Sequence, residues 1–203
     1  MLFERETIIS YSDEHRTASK ELLVEESVIL ERESRSMFTA ISEVSYYDSY
    51  SMYMAQENLT GILLGVKEVP MSFMDKISQE LLIYKEIESI EEKMEGVLAL
   101  YQTQIDFNSY LLIKEPYTHS LRDYLKGEPS LSEITVQLQT VLEKMQGYGF
   151  RLQEEIKIED IVVVFGSVKI CNVGIFGLKE GEDQVEIEDA VVRLREEMFD
   201  ALN

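Results

Sequence analysis

The segregation of strand-type and helix-type patterns on the two sides of Pro116 limits the folds open to this chain. Residues 37–69 are rich in β-branched and aromatic types, and the turn at residues 57–61 within them is typical of a hairpin. Pro70 ends the last of these strands, and the apolar spacing over residues 71–90 predicts a helix. Two further short strands are predicted at residues 96–102 and 109–114.

Helical signals dominate after Pro116. Ser120 is placed to cap a short helix that ends near Gly127. Ser130 and Glu133 form a capping-box pattern directly before an apolar run, which predicts the start of a longer helix. The remaining predicted elements are a hairpin of residues 161–165 and 168–171, a final helix at residues 185–202 and an amphipathic helix between residues 16 and 35.

These elements predict an α+β fold of two packed lobes that together form one domain. We expect residues 1–115 to form the first lobe, with the N-terminal helix, a five-stranded antiparallel sheet and one further helix. Residues 116–203 then form a reduced, mainly helical second lobe.

The net charge of −20, from 19 basic and 39 acidic residues, is the strongest compositional feature. Such a field repels nucleic acid phosphates and anionic lipid, and it attracts basic peptides or proteins. We therefore predict a basic partner and no direct binding to nucleic acid. An acidic surface that only keeps the protein soluble remains the alternative.

No run of about 18 uncharged apolar residues occurs, so no membrane span is expected. The first residues contain no apolar stretch behind a basic start, which argues against a signal peptide. The single cysteine, Cys171, excludes an internal disulfide and suits a reducing compartment. We predict an intracellular location, nuclear or cytoplasmic, with Cys171 buried as a small apolar residue and with His15 and His119 in solvent.

Residues 58–67 resemble the third strand of protein kinases, which ends in the lysine of the V-A-I-K motif. In that family the lysine binds nucleotide phosphates and pairs with a glutamate on the next helix. The resemblance assigns these two roles to Lys67 and Glu80.

Residues 110–116 and 120–125 are similar to the fifth strand, the hinge and the first helix of the second lobe of a kinase. By this resemblance Ile113 guards the back of the nucleotide pocket. Glu115 follows it at the hinge and is expected to contribute to cofactor binding.

Residues 153–160 fall where the kinase catalytic loop belongs, and Asn172 begins the triplet that falls on the D-F-G metal motif. Glu155 then represents the proton-accepting aspartate, and Lys157 represents the lysine that contacts the transferred phosphate. Asp160 and Asn172 are the candidate metal ligands. The resemblance implies ATP and Mg²⁺ as cofactors.

Within the kinases this chain is most similar to the haspin type, which phosphorylates a histone tail. Residues 80–87 and 188–194 resemble two haspin helices, and the span after Asn172 leaves no room for a conventional activation segment. The resemblance implies a small bilobal kinase-like fold with an antiparallel-sheet N-lobe and a shortened helical C-lobe. It also suggests a histone tail as the basic partner.

The chain departs from the kinase pattern where phosphate is handled. The positions of the three loop glycines fall on Ser45, Tyr47 and Tyr50, although backbone approach to phosphate requires residues without a Cβ. The tyrosines are expected to fill the phosphate space. Glu155 is one methylene longer than aspartate, and a displacement of about 1 Å can cost roughly a hundredfold in rate.

Three hypotheses follow from these residues. The first is a degenerate serine/threonine protein kinase-like protein, a haspin-like pseudokinase, with weak or absent phosphotransfer that acts by binding a basic partner. The second is a divergent active haspin-type kinase that phosphorylates a histone tail. The third is an acidic interaction protein that is not a kinase. The pair Lys67 and Glu80 is compatible with nucleotide binding or with an ion pair that only staples the two lobes together.

Overall fold

The computed structural model describes residues 37–42, 45–47, 49–106, 108–178 and 185–202, all within one unit, Met37–Asn203. The helix predicted between residues 16 and 35, and His15, lie outside the described residues. Pro116, the predicted boundary between two lobes, lies inside this unit. The described chain has the predicted α+β class, with antiparallel strands and four α-helices in these ranges.

A six-stranded antiparallel sheet forms the first half of the described chain. Its order is β1-β3-β4-β6-β5, and the short β2 also pairs with β3. The strands are β1 (Phe38–Ala40), β2 (Ser45–Tyr46), β3 (Ser51–Glu57), β4 (Leu63–Pro70), β5 (Leu100–Asp106) and β6 (Ser109–Lys114). The predicted hairpin is confirmed as the β3–β4 turn, where Gly61 adopts a φ of 72° that few other residues tolerate. Strand β4 lies in the middle of the sheet, between β3 and β6.

Helix α1 (Met74–Glu88) follows β4 after a 3₁₀ turn (Met71–Phe73), as the sequence predicted. Its buried residues are Ile77, Glu80, Ile83 and Tyr84, and Ile77 packs in one cluster with sheet residues. Leu82, which the apolar spacing includes in the buried face, is 47% exposed. The buried face of α1 therefore includes the carboxylate of Glu80 and does not include Leu82.

The second half of the described chain is mainly helical, with short strands. Its elements are β7 (His119–Ser120), α2 (Leu121–Leu125), α3 (Leu131–Gly147), β8 (Arg151–Leu152), β9 (Ile161–Val164), β10 (Ser167–Ile170), β11 (Phe176–Gly177) and α4 (Ile187–Leu202). Both predicted N-caps are confirmed, because the Ser120 hydroxyl accepts from the Asp123 N–H and the Ser130 hydroxyl accepts from the Glu133 N–H.

The predicted β9–β10 hairpin is present, but its turn lies at Phe165 and Gly166 rather than at residues 166–167, and both turn residues have the positive φ of a type I′ turn. Ile161 pairs with Ile170 at the open end of the hairpin. Because the strands are antiparallel, the residue before β9 and the residues after β10 come together. This register brings Asp160 next to Asn172.

The strand predicted at residues 96–102 begins later, since β5 starts at Leu100. Residues 96–99 instead cross between the sheet and α3. The carbonyl of Gly96 accepts from the Ile170 N–H, and Val97 forms an isolated parallel bridge with Ile170. A Cβ on Gly96 would overlap the side chain of Val141 on α3, so this close approach depends on the glycine.

None of the helices in the described ranges is long and apolar enough to cross a membrane. The largest apolar cluster joins α3, α4 and the β9–β10 hairpin to the end of α1. A second cluster lies between the sheet, α1 and β9, and it includes Tyr50, Ile77 and Cys171. The polar side chains of the candidate site lie along this second cluster.

Candidate functional site

Lys67 and Glu80 meet in the interior of the protein. Lys67 lies on β4 and is 2% exposed, and Glu80 lies on the buried face of α1. The Lys67 Nζ atom is 2.6 Å from Oε2 of Glu80. The structure therefore brings together the two residues that the kinase resemblance paired.

A second buried lysine, Lys114, binds the same carboxylate. Its Nζ atom donates to Oε1 of Glu80 at 2.6 Å, to the Tyr84 hydroxyl at 3.0 Å and to the Cys171 carbonyl at 2.6 Å. The side chain is completely buried. All three protons of this ammonium have acceptors, which a buried charge requires.

The sequence interpretation missed Lys114 and placed Ile113 at this position. Successive residues of a strand point to opposite faces, so a shift of one residue exchanges the two faces. Lys67 pairs with Leu112 in the sheet, and Leu112 and Lys114 share a face because they are two residues apart. Ile113 faces the other way and packs against Val66 and other apolar residues there. It does not line the space beside Lys67.

Asn172 and Asp160 extend the polar cluster. The Lys67 Nζ atom donates to Oδ1 of Asn172 at 2.8 Å, and Nδ2 of Asn172 donates to Oδ1 of Asp160 at 2.7 Å. The backbone N–H of Lys157 donates to Oδ2 of Asp160 at 2.9 Å. A continuous hydrogen-bonded network therefore runs from the end of β6 to the 3₁₀ turn Ile158–Asp160.

Burial and the paired charges shift the pKa values in this network. Burial acts to raise the pKa of Glu80, but the amines of Lys114 and Lys67 outweigh it and hold the pKa below its usual value. Burial lowers the pKa of Lys67 despite the opposing attraction of Glu80. Burial raises the pKa of Asp160 although Asn172 and a backbone N–H donate to it.

Cys171 is fully buried, and burial raises the pKa of its thiol to about 12. A thiol with this pKa contains very little thiolate at neutral pH, so it is a poor nucleophile. The predicted burial of Cys171 is confirmed, and His119 is exposed as predicted.

Tyr50 covers the amine of Lys67. The Lys67 Nζ atom lies 4.1 Å from the centroid of the Tyr50 ring, a cation–π distance, and the Tyr50 hydroxyl donates to the Glu159 carbonyl at 2.9 Å. The Tyr47 ring packs against Tyr50 with a centroid separation of 4.8 Å. Tyr50 is 7% exposed. The tyrosine at one of the predicted glycine positions therefore occupies space next to the lysine.

The cavity that remains beside Lys67 is about 30 Å³, roughly the volume of one water molecule. It is lined by Tyr50, Lys67, Glu80 and Asn172 among others. Small-molecule sites usually measure about 300–1,000 Å³. In this arrangement the space beside Lys67 cannot hold a nucleotide.

A larger cavity of about 630 Å³ has Tyr47 in its wall. Its walls include Tyr47, Met54, Tyr117 and Arg122, whereas Lys67 is not among them. Tyr47 lines the larger cavity and Tyr50 lines the smaller one, and the two rings are in contact.

The side chains of Glu155 and Lys157, the predicted catalytic residues, are exposed and take no part in the network. Glu155 pairs with Arg193 of α4. The segment alternates, with Ile156 and Ile158 buried at 3% and 2% exposure, and this alternation turns Glu155 and Lys157 outward. The structure uses Lys157 in the network only through its backbone N–H.

Two other residues near the predicted site differ from the expected arrangement. Glu154, which the resemblance gave no role, lines the small cavity beside Lys67. Glu115, expected to bind cofactor, pairs with Lys169 of β10, whose Nζ atom lies 2.8 Å and 2.7 Å from its two carboxylate oxygens. This ion pair ties the end of β6 to the β9–β10 hairpin.

The predicted metal ligands bind each other and their neighbours. Both oxygens of Asp160 and the side-chain oxygen of Asn172 accept hydrogen bonds within the network. No group of three or more His, Cys, Asp or Glu side chains able to hold a metal occurs in the part of the chain that the structure describes. Mg²⁺ is usually held by one or two such side chains together with phosphate and water oxygens, so a metal at Asp160 and Asn172 would have to displace these hydrogen bonds.

Comparison with models of known protein families found no match to this chain, and comparison with curated proteins found none either. The geometry of the polar network and the charge of the chain therefore carry the functional argument.

Proposed function

We propose that this chain is a degenerate serine/threonine protein kinase-like protein, similar to the haspin type, that acts by binding a basic partner. Phosphotransfer is weak or absent. The order of elements supports the kinase-like part: an antiparallel sheet with a lysine on a central strand, a helix that pairs a glutamate with it, and a mainly helical second half. Kinases require this lysine–glutamate ion pair for activity.

The proposed loss of phosphotransfer rests on one observation: the Lys67 amine is already engaged by groups of the protein itself. A phosphate-binding lysine must offer its protons to the nucleotide. Here the amine donates to Glu80 and Asn172 and lies under the ring of Tyr50. A nucleotide would have to displace Tyr50, which is buried and hydrogen-bonded to the carbonyl of Glu159.

The candidate residues for the reaction are also engaged in other contacts. The candidate base Glu155 pairs with Arg193, away from the network. The oxygens of Asp160 and Asn172 that would hold Mg²⁺ instead accept hydrogen bonds within the network. The polar network is therefore best explained as an internal staple that joins β4, β6, α1 and the β9–β10 hairpin.

The net charge of −20 supports a basic partner. An acidic surface raises the local concentration of cationic peptides and accelerates their association. Basic histone tails belong to this chemical class, and the haspin resemblance suggests them.

Calorimetric titration with ATP and Mg²⁺ tests the loss of nucleotide binding. We expect no saturable heat for the wild-type protein at millimolar nucleotide. Lys67→Met and the surface variant Lys126→Met serve as a matched pair, since the side chain of Lys126 is 73% exposed. Micromolar binding that Lys67→Met abolishes and Lys126→Met retains would contradict the proposal.

That result would support the alternative of a divergent active haspin-type kinase, which the retained Lys67–Glu80 pair favours. Transfer of label from radiolabelled ATP to a histone-tail peptide, dependent on Lys67, would then establish activity.

Binding of a histone-tail peptide at increasing salt tests the second half of the proposal. We expect binding at low ionic strength that weakens steeply as salt rises towards about 0.5 M, because exposed charges are then screened. No binding at low salt would remove the basic partner from the proposal.

A further inference from the structure

An apolar cavity of about 230 Å³ lies at the C-terminal end of α1, behind the polar network. Its apolar walls are Tyr84, Ile87, Ile90, Met94, Val97 and Leu100. The structure describes every residue that lines this cavity. Its volume is below the roughly 300–1,000 Å³ of small-molecule sites, and it matches one large apolar side chain.

The walls of this cavity are held in place by the core. Tyr84 is 4% exposed, and its hydroxyl donates to the Leu98 carbonyl and accepts from Lys114. Met94 and Val97 belong to the largest apolar cluster. The cavity is therefore a built feature of the fold, which lowers the cost of ordering when a side chain enters it.

The rim of the cavity is acidic. Residues 86–95 contain five glutamates and one lysine, and Glu88, Glu92 and Glu115 line the opening together with Lys93. Glu92 already pairs with Lys144 and Tyr148, and Glu115 already pairs with Lys169. The charge available to a cationic partner is therefore that of Glu88 and of the exposed Glu91 and Glu95 in the same segment. Glu88 is exposed to solvent at the same rim.

We propose that this cavity binds one large apolar side chain of a basic peptide, and that the acidic rim binds the flanking lysines or arginines. An apolar pocket with a charged rim is the usual anatomy of a peptide-anchoring site. The inference rests on the proposed function, because it locates the basic partner on the surface. It adds an apolar anchor, which charge attraction alone does not require.

Fluorescence anisotropy with two labelled peptides tests this proposal. One peptide is Lys-Arg-Lys-Phe-Lys-Arg-Lys, and the control has serine in place of phenylalanine. We expect the phenylalanine peptide to bind about tenfold more tightly, because a buried aromatic side chain contributes at least that much to affinity. The difference should persist at high salt, where the charge contribution is screened.

A matched pair of protein variants locates the binding. Ala99→Met fills the cavity, since Ala99 lines it, and Ala201→Met makes the same change on the exposed end of α4. We expect Ala99→Met to remove the preference for the phenylalanine peptide and Ala201→Met to retain it. If Ala99→Met fails to fold, the wild-type methyl resonance of Met94 decides: it should shift with the phenylalanine peptide and stay unchanged with the serine peptide.

The outcomes separate the two proposals. Equal, salt-sensitive binding of both peptides, with no shift of the Met94 methyl resonance, overturns the anchoring cavity and leaves the basic partner in place. A phenylalanine preference that Ala99→Met retains, with no Met94 shift, places the anchor elsewhere and also overturns it. Absence of binding by either peptide at low salt overturns both.

Discussion

Lys114 donates to Oε1 of Glu80 across 2.6 Å, and the other oxygen of this carboxylate binds Lys67 at the same distance. One buried carboxylate therefore binds two buried amines from neighbouring strands. Neutralising it leaves two ammonium groups without their main partner in a region of low dielectric constant. We therefore expect the stability of the structure to depend on Glu80 more than on either lysine alone.

We predict that Glu80→Gln lowers the free energy of unfolding by about 3–5 kcal/mol, the range found when one partner of a buried pair is removed. The loss has an upper limit, because a lysine left without its partner can lose its proton. At neutral pH this costs about 1.4 kcal/mol for each unit by which the lysine pKa exceeds the pH. Unfolding in guanidinium chloride, followed by circular dichroism, measures it.

Glu155→Gln is the matched control, because it makes the same chemical change in an ion pair that is more than half exposed to solvent. Exposed ion pairs contribute under about 1 kcal/mol, so we expect little change. Similar losses in the two variants would show that the Glu80 network is no more important to stability than a surface pair.

The Glu80 contribution should also depend on pH. The folded-state pKa of this carboxyl is below its ordinary value of 4.5, so its stabilising effect is fully present above about pH 5.5 and decreases as pH falls through 4.5. The difference in unfolding free energy between wild type and Glu80→Gln should therefore shrink between about pH 5 and pH 3. Subtraction cancels the carboxyls common to both proteins. Urea unfolding at four pH values measures this, and a difference that stays constant to about pH 3 would contradict it.

Local signals were sufficient to predict much of the fold. The serine caps at Ser120 and Ser130 depend only on residues within one helical turn. The β9–β10 hairpin depends on a two-residue turn that contains Gly166, although this turn lies one residue earlier than predicted. The pair Lys67 and Glu80 came from the resemblance to protein kinases rather than from a local signal, and the structure brings the two side chains together.

The roles of Lys114 and Glu155 could not be predicted from local signals. Whether Ile113 or Lys114 faces Glu80 depends on the strand register, which a one-residue error reverses. The outward direction of Glu155 depends on the burial of Ile156 and Ile158 against the core, a tertiary effect. Residues that take their roles from long-range packing are therefore the ones that sequence reasoning misplaced.

Substitutions of Tyr50 test separately whether this residue covers Lys67. We predict that Tyr50→Phe costs about 1 kcal/mol, because it removes only the hydrogen bond to the Glu159 carbonyl. Tyr50→Ala should cost about 3–5 kcal/mol, since it also removes a buried ring and its cation–π contact with Lys67. Chemical unfolding of the two variants measures both losses.

Amine acylation followed by mass spectrometry reports directly on the covering role of Tyr50. Lys67 should be protected in the wild type and in Tyr50→Phe, and it should become reactive in Tyr50→Ala under conditions where the protein stays folded. Lys126 supplies the fully reactive reference in each sample. Equal labelling of Lys67 in all three proteins would show that Tyr50 does not cover the Lys67 amine.

The close contact between Gly96 and Val141 predicts a steric overlap that a second substitution should relieve. A Cβ at this position would lie within 3.0 Å of Cβ and both methyl carbons of Val141, so rotation of the valine side chain cannot relieve the overlap. We predict that Gly96→Ala lowers the free energy of unfolding by about 1–3 kcal/mol, as overpacking of a core does. Val141→Ala removes both methyl groups, so the double variant Gly96→Ala, Val141→Ala should recover part of this loss. Unfolding of the two single variants and the double variant gives the coupling energy between the two positions. A coupling energy near zero would show that residues 96–99 do not pack against α3 in this way, because in contact the two substitutions must compensate each other.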